Sequence, residues 1–97
     1  MKTILNSAEF IHIPEYSFYN HNFYRNIINE KIILEETDDG ENHYWWVNED
    51  DMINHRAHKN AEYIGVCYSD EFHIPTEARR KRFHEKEYTF EFDSSDF

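Results

Sequence analysis

Ninety-seven residues leave room for one domain. Ten Lys plus Arg against 20 Asp plus Glu give a formal charge of -10 with histidine neutral, and there are only two glycines and two prolines. That balance excludes a collagen-like chain and a low-complexity linker, and it opposes direct binding to nucleic acid or to an anionic membrane, whose phosphates would be repelled.

In chain order, Phe10-Ile11-His12-Ile13 reads as a short strand stopped by Pro14. Ser17 is a suitable helix N-cap. Beyond it, Tyr19, Phe23 and Ile27 recur every fourth residue with Tyr24 and Ile28 alongside, which predicts an amphipathic helix. Asn20, Asn22, Asn26 and Asn29 lower its propensity, so packing must support it. Lys31–Glu36 reads as a strand, Asp39-Gly40 as a hairpin turn and Asn42–Val47 as the returning strand. In that strand Tyr44 and Trp46 share one face, and His43, Trp45 and Val47 the other, as in a central strand or one presented to a partner.

Asn48 caps a second predicted helix with Glu49, Asp50 and Asp51 in its first turn, where the helix dipole favours anions. Tyr63–Tyr68 reads as a strand, and Pro75 starts a short polar helix to about Lys86. Glu87–Asp93 alternates cleanly, with Tyr88, Phe90 and Phe92 on one side. The expectation is a single α+β domain over residues 1–97: an antiparallel sheet of four or five strands with two or three short helices. The 17 aromatics (eight Phe, seven Tyr, two Trp) supply its core.

One cysteine, Cys67, allows no internal disulfide, and its place in an apolar strand predicts a buried, inert thiol. The first nine residues carry no apolar run long enough for a secretory signal, so a cytoplasmic location is expected.

Acidic residues are concentrated. Glu35, Glu36, Asp38, Asp39, Glu41, Glu49, Asp50 and Asp51 fall in one stretch without Lys or Arg. Together with Tyr44, Trp45 and Trp46 as anchors, they form the expected partner-binding face. The sequence then predicts a small inhibitor, monomeric or homodimeric, that occludes a basic site on a nucleic-acid-processing protein. Phage anti-defence and toxin-immunity proteins fit the same specification, which is a likeness of class alone. A polyanion mimic needs more than one acidic strand, because same-face residues on a strand repeat at about 6.8 Å, twice the charge spacing of one DNA strand.

Arg79-Arg80-Lys81-Arg82 is the sole basic cluster, and on a helix its four positions point all round. Seven histidines are present: His12, His21, His43, His55, His58, His73 and His84. His55 and His58 stand three apart and could share a metal if a third ligand such as His84 or Asp51 arrived from elsewhere. No His-Glu-x-x-His pattern or paired cysteine accompanies them, so no metal, cofactor or catalytic residue is assigned. A small His- or metal-dependent enzyme acting on RNA or nucleotides is the alternative from another class, and a non-inhibitory adaptor or homodimeric subunit is the third.

Overall fold

Asp39 and Gly40 close the central hairpin, both at positive φ (52° and 83°), the geometry that a two-residue primed turn demands and that Asp-Gly supplies. In this computed structural model, which describes residues 2–76 and 89–93, the turn joins β4 (Ile32–Asp38) to β5 (Glu41–Val47). The hairpin is the middle of a five-stranded antiparallel sheet. β2 (Phe10–His12) and β3 (His21–Asn26) precede it and β6 (Glu62–Tyr68) follows, with spatial order the same as chain order. β1 (Lys2–Asn6) pairs with β7 (Thr89–Asp93) in a separate two-stranded antiparallel ribbon. One short helix, α1 (Glu49–Ile53), and a 3-10 turn at Ser7–Glu9 are the only helical elements among the described residues, fewer than expected.

The segment predicted as the first helix is strand β3. Of the predicted apolar stripe only Phe23 and Tyr24 lie in this strand, buried on opposite faces, while Tyr19, Ile27 and Ile28 stand outside it and are exposed. The asparagines weaken the helical alternative, and pairing with β2 and β4 holds the segment extended. Ser17 caps no helix. Its hydroxyl donates to Ile13 O (2.8 Å) and accepts from Phe23 N (3.0 Å), tying the β2–β3 loop. The second helix starts as expected, with Asn48 Oδ1 accepting from Asp50 N (2.8 Å), but lasts five residues. The third predicted helix, the Arg79–Arg82 cluster and His84 lie outside the described residues.

Alternation along β3, β4 and β5 divides the apolar residues between two cores, one on each face. Tyr24, Ile33 and Tyr44 join Phe10, Ile64, Phe72 and Ile74 on the first face, where Leu5 and Phe92 of the ribbon cover them. Phe23, Ile32 and Leu34 meet Met52 of α1 on the second. Both faces of β5 are therefore covered, the central-strand arrangement of the two that its pattern allowed. The ribbon approaches β6 at Gly65, where an added Cβ would lie 2.9 Å from Phe92 Cδ1 and 3.1 Å from its Cβ. Gly65→Ala is expected to destabilise the fold by about 1–3 kcal/mol by pushing Phe92 outward, measurable as a lowered urea midpoint.

Buried polar side chains hold the strandless segment Phe72–Ile74 over the first core. Asn42 Nδ2 donates to Phe72 O (3.0 Å), Tyr24 Oη donates to Ile74 O (2.9 Å), and Glu35 Oε2 accepts from Ile74 N (3.1 Å). They complete hydrogen bonds that a sheet neighbour would otherwise make.

Candidate functional site

Register places Glu36 of β4 directly opposite His21 of β3 and His43 of β5. Cross-strand neighbours share a face, here the second one. His58 arrives from the loop after α1 and packs edge-on against Trp45, with ring centroids 5.1 Å apart. His21 Nε2 and His58 Nε2 each lie 3.2 Å from Glu36 Oε2, and the three ligating atoms lie within 4.8 Å of one another.

His21 is oriented from behind. Asn20 Nδ2 donates to Thr37 O (2.6 Å), so its Oδ1 faces His21 Nδ1 at 2.9 Å. Because Oδ1 only accepts, Nδ1 carries a proton. In a neutral ring Nε2 then bears the lone pair, which would face a carboxylate oxygen. A proton or a cation must lie between them. Phe18 stacks on the His21 ring at 4.7 Å and 9°, and Phe18 N and His21 N bond reciprocally to each other's carbonyls (2.9 and 2.7 Å). This tight turn leaves Tyr19 fully exposed.

The loop that presents His58 is organised by Asp51. Its carboxylate is buried and accepts from Arg56 Nε (2.7 Å) and Asn60 Nδ2 (2.9 Å), while Asp51 O accepts from Arg56 N (2.8 Å). The hydrogen bonds from Arg56 and Asn60 hold the carboxyl below the usual carboxylate range against the opposing effect of desolvation. Beside the cluster opens a concavity of about 100 Å³, walled by Tyr16, Phe18, Phe23, Met52 and Ala57. His21, His55 and His58 line it as well.

The expected partner-binding face is only partly a surface. Glu35 and Tyr44 are buried in the first core, where Tyr44 Oη donates to Glu35 Oε2 (2.6 Å). Burial, with the Glu35 carboxylate second, drives the Tyr44 hydroxyl far above its ordinary range. Asp51 is buried beneath its loop. These three have no surface to offer, because odd positions of β4 and even positions of β5 face the first core and Asp51 caps a turn inward. Trp45 and Trp46 are half-buried against the second and first cores, Trp46 with Lys31 Nζ 5.7 Å from its ring centroid. Glu49 pairs with Arg25, and Glu36 belongs to the histidine cluster. Asp38, Asp39, Glu41 and Asp50 remain exposed.

Two groupings escaped the sequence reading. One is the set His21, Glu36 and His58, whose spacings of 15 and 22 residues match no ligand motif and become visible only through the β3–β4 register. Of the pair suspected from spacing, His58 joins it, while His55 lines the adjoining concavity. The other is acidic. Glu41 pairs with Tyr68, and Ser69 N donates to Gly40 O (2.9 Å), which brings the Asp70-Glu71 turn beside Asp38, Asp39 and Glu41. Cys67 is buried, as its strand position implied, and burial pushes its thiol up to about 12.

No helix among the described residues is long and apolar enough to cross a membrane. No protein-family model, curated protein or solved structure matches the chain.

Proposed function

We propose that this chain binds one divalent transition-metal ion through His21 Nε2, Glu36 and His58 Nε2, with zinc the best match to the donors. The supporting observation is the convergence of three ligating atoms from β3, β4 and the loop after α1 within 4.8 Å. Tetrahedral zinc with bonds of roughly 2.0–2.2 Å sets ligand atoms about 3.3–3.5 Å apart, close to the two 3.2 Å separations found here. Asn20 fixes the His21 tautomer through an outer-shell bond of the kind metal-binding histidines make. Three protein ligands leave a fourth position for water or another ligand, the pattern of reactive sites more than of closed structural ones.

Titration of the full chain with cobalt(II) tests this reading. The expected result is a one-to-one visible absorption band of tetrahedral type that zinc displaces. Absence of the band, or an equal band in Glu36→Gln, would overturn it.

A second reading is supported by the acidic end of the sheet. Asp38, Asp39, Glu41, Asp70 and Glu71 are exposed and form no ion pair with the described residues, and Tyr68 stands among them 63% exposed. On this reading the end steers a basic protein, of the nucleic-acid-processing kind, towards occlusion of its site. The combined change D38K/D39K/E41K is expected to abolish low-salt capture of a partner that the unmodified chain takes from nuclease-treated lysate. Capture that is unchanged by the triple reversal would remove the hairpin from the interface.

A further inference from the structure

The geometry points to a ligand class for the histidine–glutamate site: a small carboxylate with a short apolar tail, its head on the metal and its tail in the adjoining concavity. This rests on the metal-binding reading above. Three observations carry it beyond that reading.

First, metal ligands and pocket walls are shared. His21 and His58 belong to both, so a group on an open coordination position borders the concavity. Second, the walls away from the histidines are apolar. Tyr16, Phe23, Met52 and Ala57 pack in the second core, and Phe18 forms a half-exposed rim. Such walls reward a buried hydrocarbon and offer little to a polar tail. A space of about 100 Å³ is smaller than the roughly 150 Å³ cavity known to hold benzene, which limits the tail to a few carbons. Third, a divalent ion with one carboxylate ligand keeps a net charge of +1, so an anionic oxygen head completes neutrality at the centre. The neighbouring acids disfavour an anion at long range, but salt screens exposed charges beyond about 8 Å while direct coordination is unaffected.

The cobalt(II)-loaded full chain supplies the test, with acetate and butyrate as probes and the visible spectrum as readout. Butyrate is expected to perturb the cobalt band at about tenfold lower concentration than acetate, the contribution of two buried methylene groups. Ala57→Leu, which fills the concavity from the position next to His58, is expected to lose the preference, with its own cobalt band showing that His58 still ligates. Two results would overturn the inference with metal binding intact: equal response to the two acids, or a preference that survives Ala57→Leu. Failure of the unmodified chain to develop the cobalt band would overturn the metal site and this inference together. Tyr16→Ala, at a partly buried wall position on the β2–β3 loop, provides an independent variant should Ala57→Leu disturb the loop after α1. It enlarges the concavity and is expected to move the optimum to a longer acid, with valerate gaining on butyrate.

Discussion

Replacing His58 by alanine is expected to weaken zinc binding by at least about a hundredfold, as is Glu36→Gln. Loss of an outer-shell partner alone typically costs 10- to 100-fold, so loss of a ligand costs more. Asn20→Ala, which frees the His21 ring without touching a ligating atom, should fall at about tenfold. Competition against a coloured chelator measures all three. His58 is exposed and its loop is held by Asp51, so the alanine variant should keep the circular dichroism of the parent. Thermal unfolding gives an independent reading. Free zinc at a hundred times its dissociation constant stabilises the folded parent by about 2.7 kcal/mol and should leave the His58 variant nearly unmoved. Equal zinc affinity in parent and variants would reduce the cluster to a hydrogen-bonded histidine–glutamate contact.

The second large effect is on stability and distinguishes charge from hydrogen bonding at Glu35. Its side chain is 1% exposed and receives Tyr44 Oη and Ile74 N on Oε2. Glu35→Ala strands these donors and opens a void in the first core, and is expected to cost about 3–5 kcal/mol. Glu35→Gln should stay within about 1 kcal/mol of the parent. The amide oxygen can take the place of Oε2. The amide nitrogen can donate to Tyr24 Oη, which lies 3.2 Å from Oε1 and has its own proton directed at Ile74 O (2.9 Å). Every polar group of the cluster is then still bonded. Urea unfolding of the two variants checks the contrast, and equal losses would show that the carboxylate charge itself is needed.

Local chemistry carried much of the architecture. Asp39-Gly40 announces its turn because few residue pairs tolerate two successive positive φ values. Phe90 and Phe92 announce an inward face because a strand exposes every second residue. Asn48 announces a helix start through its side-chain acceptor. The β3 segment deceives for an equally local reason: a recurrence of four suggests a helix, yet Tyr19 and Ile27 stand exposed outside the strand, and pairing with β2 and β4 decides for the extended form.

By itself, the sequence determined an antiparallel, aromatic-rich sheet built around the Asp39-Gly40 hairpin, a buried Cys67 and a strongly acidic surface. Those are matters of composition, period and turn chemistry, which neighbouring residues settle among themselves. Only the tertiary structure decided which acids face solvent. Glu35 and Glu36 are adjacent in sequence, yet the pleat sends one into the first core and the other to two histidines. Burial depends on what packs over each face, and a ligand set depends on strand register and on the return of a distant loop. Neither is encoded in the spacing of residues along the chain.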